Sequence, residues 1–179
     1  LLSKNKTVRD MPIFLGAGCW PHYVPAVVDN IVQRSEFLTS YTPYQPEISQ
    51  GMLQALYEYQ SLVCELLDMD VADSSMYDWA TSLGEAARMA YRVTGRREFL
   101  YPHFIHPERL ATLRAYSETA SIKLVEVDND PEDAQIDLED VKAKVGCETA
   151  ALYVENPSYL GPLMMNLEEL GEVVHDAGG

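Results

Sequence analysis

The stretch EFLYPHFIHPERLATLRAYSETASIKLVEV, residues 98–127, decides the fold. Glu98 to Tyr101 is short, apolar and aromatic and reads as a strand. Pro107 to Glu118 reads as a helix. Ile122 to Val127 is a second strand. Outward from there the alternation continues, with a helix over Asp137 to Val145, opened by Asp137 and Asp140, and a strand over Thr149 to Val154. That last strand is apolar enough to be buried on both faces. A further helix, Asn166 to Ala177, has Asn166 and Glu169 as its capping box. Strand then helix, three times over, predicts a parallel sheet with helices packed on it. Right-handed crossovers then place the loops after the strands along one edge, where such folds bind ligands.

Upstream, Gln50 to Leu67 is the strongest helix. Met52, Leu53, Leu56, Tyr59, Val63, Leu66 and Leu67 recur at three and four, with Ser49 as N-cap and Cys64 as a small core residue. A second helix spans Trp79 to Thr94, with Asp78 as N-cap and Gly95 closing it. Pro25 to Arg34 is a shorter helix. Before it, Ile13 to Gly18 is an apolar run ending in Gly-Ala-Gly, and residues 1–10 form a polar arm. Domain limits follow: 1–48 holds the arm, the short helix and an extended segment, and 49–179 holds an α/β domain. The chain begins Leu1-Leu2-Ser3-Lys4 without Met and stops at Ala177-Gly178-Gly179, where a strand should begin. It reads as a fragment of a larger protein, or as a sequence lacking its flanking residues.

Composition narrows the function. The hydrophobic share of 47% and charged share of 23% are ordinary for a globular domain. Thirteen basic residues against 28 acidic ones leave a net charge of −15. Such a surface repels nucleic acid and anionic membranes. No apolar run approaches a membrane span. Cys19, Cys64 and Cys147 form neither a zinc spacing nor a disulfide framework, and a reducing cytoplasm is the simplest compartment.

The segment Tyr41-Thr42-Pro43-Tyr44-Gln45-Pro46-Glu47-Ile48-Ser49-Gln50-Gly51 stands apart. Its two prolines fix φ and exclude helix interior. Two tyrosines, two amides and a carboxylate feed straight into a helix. Physically this is either the lining of a site or interface, or an ordered surface crossing. The loop Ser74 to Thr81 precedes a helix N-terminus, a natural anion site, yet Asp78 brings a negative charge there and an ordinary cap explains it equally well. His103 and His106 follow a strand and suit stacking, acid–base work or capping; no carboxylate completes a metal set beside them. Glu155-Asn156-Pro157 ends the last strand as a site loop or a plain turn. The lysines are Lys4, Lys6, Lys123, Lys142 and Lys144, and none ends a strand or sits in apolar surroundings as a Schiff-base lysine would.

Several of these segments resemble one family. Phe14-Leu15-Gly16-Ala17-Gly18, His22-Tyr23, Arg34-Ser35-Glu36-Phe37 and all of 41–51 look like the glycine cleavage system P-protein, glycine dehydrogenase (decarboxylating). Gln60, Cys64-Glu65, Met69-Asp70-Val71-Ala72, Ser75-Met76-Tyr77-Asp78, Ala80-Thr81 and Glu85-Ala86 continue the match, and His106-Pro107 and Asn156-Pro157 fall in register. The likeness is nearest to subunit 1, the N-terminal type of two-subunit forms. It implies an aspartate-aminotransferase-like fold of pyridoxal phosphate enzymes (fold type I), three-layered with a mainly parallel sheet. It also implies a heterotetrameric complex that decarboxylates glycine and passes the aminomethyl group to the lipoyl arm of H-protein. In that complex subunit 2 carries the pyridoxal phosphate lysine; subunit 1 completes the active site and has no catalytic residue or cofactor of its own. Carried over by position, Tyr41, Thr42, Tyr44, Gln45, Pro46, Glu47, Ser49 and Gln50 line the shared cleft. Ser75, Tyr77, Asp78 and Thr81, with His106, form a vestigial phosphate loop. Trp79 departs from the pattern, where glycine is expected; a small residue commonly stands where Gly84 lies. Two other readings stay open: a piece of another fold type I pyridoxal phosphate enzyme, and a non-catalytic assembly module with a decayed cofactor site.

Overall fold

The computed structural model describes residues 2–12, 22–38 and 41–179. The Ile13–Gly18 run, Cys19 and the first motif of the family resemblance therefore lie outside the described residues. The chain divides into two compact units, Leu1–Ser75 and Met76–Gly179. The first thus includes the long helix that the sequence reading assigned to the α/β domain from residue 49.

In the first unit, α1 (Ala26–Val32), α2 (Ser35–Leu38) and α3 (Gln50–Leu67) bury no residue. The bounds of α3 match its apolar periodicity, but two expectations about it need correction. Ser49 makes no side-chain capping bond; Gln50 instead turns back, its Nε2 donating to the Pro46 carbonyl at 2.7 Å. Cys64 is half-buried rather than part of a core, because Tyr57, Tyr59, Leu62, Leu66 and Leu67 around it are all exposed. The helix α2 went unpredicted: four residues are too few to show a period.

The second unit carries α4 (Trp79–Thr94), β1 (Glu98–Pro102), α5 (Pro107–Ala120), β2 (Lys123–Val127), α6 (Leu138–Lys144), β3 (Thr149–Leu152) and α7 (Leu167–Asp176). The strands pair in parallel in the order β2-β1-β3. Side chains alternate across the sheet. Phe99 and Tyr101 therefore pack with Leu83 and Ala87 of α4 and Leu113 of α5. Leu100, between them, packs on the other side with Val141 of α6 and Leu170 of α7. Helices thus cover both faces, the three-layer α/β architecture expected from the alternation. One expectation for β3 needs narrowing: Thr149 and Ala150 are buried, but Ala151 and Leu152 only half so. Among the described residues β3 pairs with β1 alone, so its far edge lacks a neighbour.

Caps follow local chemistry where the tertiary fold leaves the side chain free. Asp78 and Thr81 form a reciprocal capping box on α4, and Gly95 ends that helix at φ +74°. Asp137 caps α6 by accepting from the N–H groups of Glu139 and Asp140. Asn166 does not cap α7; its amide is drawn away to donate to the Ile136 carbonyl at 2.9 Å.

Gly84 lets α4 and α5 approach. A Cβ there would stand 2.5 Å from Cγ of Tyr116. In an exposed helix, Gly→Ala gains about 1 kcal/mol. Here the clash falls on the base of a ring, which cannot swing aside, and overpacking costs about 1–3 kcal/mol. Gly84→Ala is therefore expected to lower stability, read as a lower midpoint in urea unfolding.

Candidate functional site

Two places concentrate polar groups, one in each unit. In the first unit the 41–51 segment runs without regular structure to Gln45 and turns over 46–48. Tyr44 N–H bonds the Thr42 carbonyl at 2.8 Å, and Ser49 N–H the Pro46 carbonyl at 3.3 Å. With α2 and the start of α3 it borders an open hollow of about 670 Å³. Of the eight lining residues expected, Tyr41, Thr42, Tyr44, Gln45 and Ser49 face this hollow, while Pro46, Glu47 and Gln50 do not; Phe37, Ile48 and Met52 supply its apolar wall. Tyr44 is 80% exposed, so little of the fold leans on it.

In the second unit the site stands at the C-terminal edge of the sheet. Trp79, first residue of α4, lays its ring over Arg109 of α5, with the guanidinium carbon 3.5 Å from the ring centroid. Trp79 Nε1 donates to the Tyr153 hydroxyl at 2.9 Å. That hydroxyl donates to Glu155 Oε1 at 2.7 Å. Glu155 Oε2 in turn lies 2.7 Å from Arg109 Nη1, and the two side chains are only 3% and 7% exposed. The approach is too bent for a hydrogen bond, leaving Nη1 and Oε2 as an ion pair in contact. The four residues close a ring. Burial, then the neighbouring Glu155 carboxylate, raise the Tyr153 phenol far above its usual range, which keeps it a donor.

Beside it lies a second cluster. His103 Nδ1 is 2.7 Å from Glu126 Oε1, and the Tyr101 hydroxyl donates to Glu126 Oε2 at 3.1 Å. The bond to His103, followed by that from Tyr101, holds the Glu126 carboxyl below the usual range. Burial raises the Tyr101 phenol. Among the described residues no group of three His, Cys, Asp or Glu side chains is arranged to hold a metal.

The expected phosphate loop is only partly assembled. Asp78 and Thr81 meet, but each other: Asp78 Oδ1 accepts from Thr81 N–H at 2.7 Å, and Thr81 Oγ1 lies 3.3 Å from Asp78 N–H and 3.1 Å from its carbonyl. Tyr77 points into solvent, 98% exposed, and Ser75 belongs to the first unit. His106 caps α5, its Nδ1 accepting from Glu108 N–H at 3.1 Å, and meets the Tyr159 ring edge-on. Arg109 and Tyr153 escaped the sequence reading. Tyr153 sits just past β3 and Arg109 in the first turn of α5, the helix that follows β1, positions that a strand-end rule could have flagged.

The doubly covered parallel sheet, with its polar cluster at the C-terminal edge, defines the class as an α/β protein. A NifS-like protein shares this fold over 76% of the chain, with a TM-score of 0.56 at 14% identity. The chain belongs to the glycine cleavage system P-protein family, whose model matches residues 1–178. It is 56% identical over 181 residues to a probable glycine dehydrogenase (decarboxylating) subunit 1 of Pyrococcus furiosus, covering 99% of this chain and 40% of the relative. The protein of that name from Aeropyrum pernix is 51% identical over 181 residues, covering 100% of this chain and 39% of the relative. A crystal structure of glycine decarboxylase (P-protein) of the glycine cleavage system, in inhibitor-bound form, superposes with a TM-score of 0.85 at 42% identity, covering 99% of this chain and 38% of that one. The chain thus spans about two fifths of the length of the curated relatives it matches.

That family is generally pyridoxal-phosphate-dependent. The residues at the start of α4 do not fit a phosphate ester. The Thr81 N–H that would face it already serves the Asp78 carboxylate, the Thr81 hydroxyl is spent on the Asp78 backbone, and Trp79 adds bulk over the same turn.

Proposed function

We propose that this chain is part of subunit 1 of a glycine dehydrogenase (decarboxylating), a complex that decarboxylates glycine and hands the aminomethyl group to the lipoyl arm of H-protein. The observation that carries this reading is the identity of about one half, along the whole chain, to relatives named as that subunit. The lysines support a non-catalytic role for this segment. Lys123, Lys142 and Lys144 are engaged with Glu98, Glu139 and Asp140, and Lys4 and Lys6 lie exposed in the N-terminal arm. Pyridoxal phosphate is then held by subunit 2, where its ring would serve as electron sink for the carbanion left by decarboxylation. The 41–51 segment contributes lining to the shared cleft, and the exposed apolar side chains of α3 meet a partner within a cytoplasmic heterotetramer. No helix among the described residues is long and apolar enough to cross a membrane.

Two measurements test this. Glycine-dependent CO2 exchange by subunit 2 with lipoylated H-protein is expected to require the full-length protein containing this chain; exchange that its addition leaves unchanged argues against the assignment. The isolated chain, treated with pyridoxal phosphate and borohydride, is expected to gain no stoichiometric adduct at any one lysine. Such an adduct would make this segment a cofactor-binding one.

A further inference from the structure

Two features of the second unit attract anions, and each is already taken by a carboxylate of the chain. The first is the N-terminus of α4, where free N–H groups and the helix dipole favour negative charge. Asp78 fills it, accepting from Thr81 N–H. The second is the Arg109 guanidinium, buried at a strand-end position where an external carboxylate or phosphate would find a charged donor fork. Glu155 Oε2 holds it at 2.7 Å. Trp79 joins the two. It follows Asp78 in the chain, covers Arg109, and is tied through Tyr153 to Glu155.

We infer that this part of the chain is a self-liganded anion site: Asp78 and Glu155 serve as its internal anions, and Trp79 is the lid that keeps a phosphate monoester out. The Arg109 and Glu155 charges compensate each other in contact at 2.7 Å, so an external dianion would find that carboxylate already in place and would first have to displace the Asp78 charge and the indole ring. The inference rests on the proposed function only in taking a pyridoxyl phosphate as the anion to test.

The test is equilibrium dialysis of the intact chain against pyridoxine 5′-phosphate, which lacks the aldehyde and so forms no lysine adducts. The unaltered chain is expected to show no saturable binding at millimolar ligand. Asp78→Ser with Trp79→Gly removes the competing charge and the lid while keeping a capping hydroxyl. It is expected to bind at least about tenfold more tightly than the unaltered chain, with inorganic phosphate competing. Asp78→Ser alone, the milder change, is expected to gain several-fold and reports if the double variant fails to fold. Saturable binding to the unaltered chain that inorganic phosphate displaces overturns the inference. So do variants that keep the parent circular dichroism yet gain nothing. CO2 exchange with subunit 2 is a separate readout: closure of the site stands or falls on dialysis, and the assignment to subunit 1 on exchange.

Discussion

Glu155→Ala is expected to destabilise the second unit by about 3–5 kcal/mol, the cost of leaving a buried charge without its partner. Arg109 has nowhere to turn. Its side chain is 7% exposed, Trp79 covers one face of the guanidinium, and its nearest carboxylate is Glu155. The same change strips Tyr153 of the acceptor for its hydroxyl, and an orphaned buried donor adds about 1–3 kcal/mol to the loss before relaxation. Glu155→Gln keeps an acceptor for Tyr153 and should lose less. The diagnostic variant is Arg109→Met with Glu155→Leu. Removing both charges together relieves the penalty that either removal alone creates, so the double variant should be more stable than Glu155→Ala. Urea unfolding followed by tryptophan fluorescence measures all three, since Trp79 reports from within the ring. With Arg109→Met and Glu155→Leu also measured singly, strict additivity of their losses in the double variant would mean that the pair is not coupled.

Tyr44→Ala and Glu47→Gln are expected to do the opposite: little to folding, much to the assembled enzyme. Both side chains are exposed, and Tyr44 borders the 670 Å³ hollow. Surface changes of this kind move stability by about 0.5 kcal/mol or less. If the 41–51 segment lines the cleft shared with subunit 2, the loss of a positioning group should lower glycine-dependent CO2 exchange by about 100-fold. The assay is made with the full-length protein, subunit 2 and lipoylated H-protein, with a melting curve of each variant as control. Unchanged exchange in both variants would return the segment to a plain surface crossing.

The parts legible in sequence were those ruled by local periodicity. The bounds of α3 and α4 were readable because apolar residues recur along their faces and because Asp78 and Gly95 mark the ends of α4. The strand β1 ran one residue past expectation, to Pro102, which ends the ladder and so needs no further donor there. Burial was less legible than helicity. The periodic face of α3 looks like a core face in sequence, yet it buries nothing in the described structure, since the pattern states that a face wants cover without stating what covers it.

By itself the sequence determined the alternation of strands and helices in the second unit, the parallel sheet that this order demands, Asp78 as the cap of α4 and the family. All of these rest on neighbours within a few residues or on motifs written in the chain. Only the tertiary structure decided the candidate site. It brought Arg109 of α5, Trp79 of α4 and the Tyr153–Glu155 segment after β3 into one closed ring. It also drew Asn166 from its expected cap to the Ile136 carbonyl. The physical reason is common to both. A buried charge or amide must find a partner wherever the packed elements place one, and that choice is made by distances in space rather than spacing along the chain.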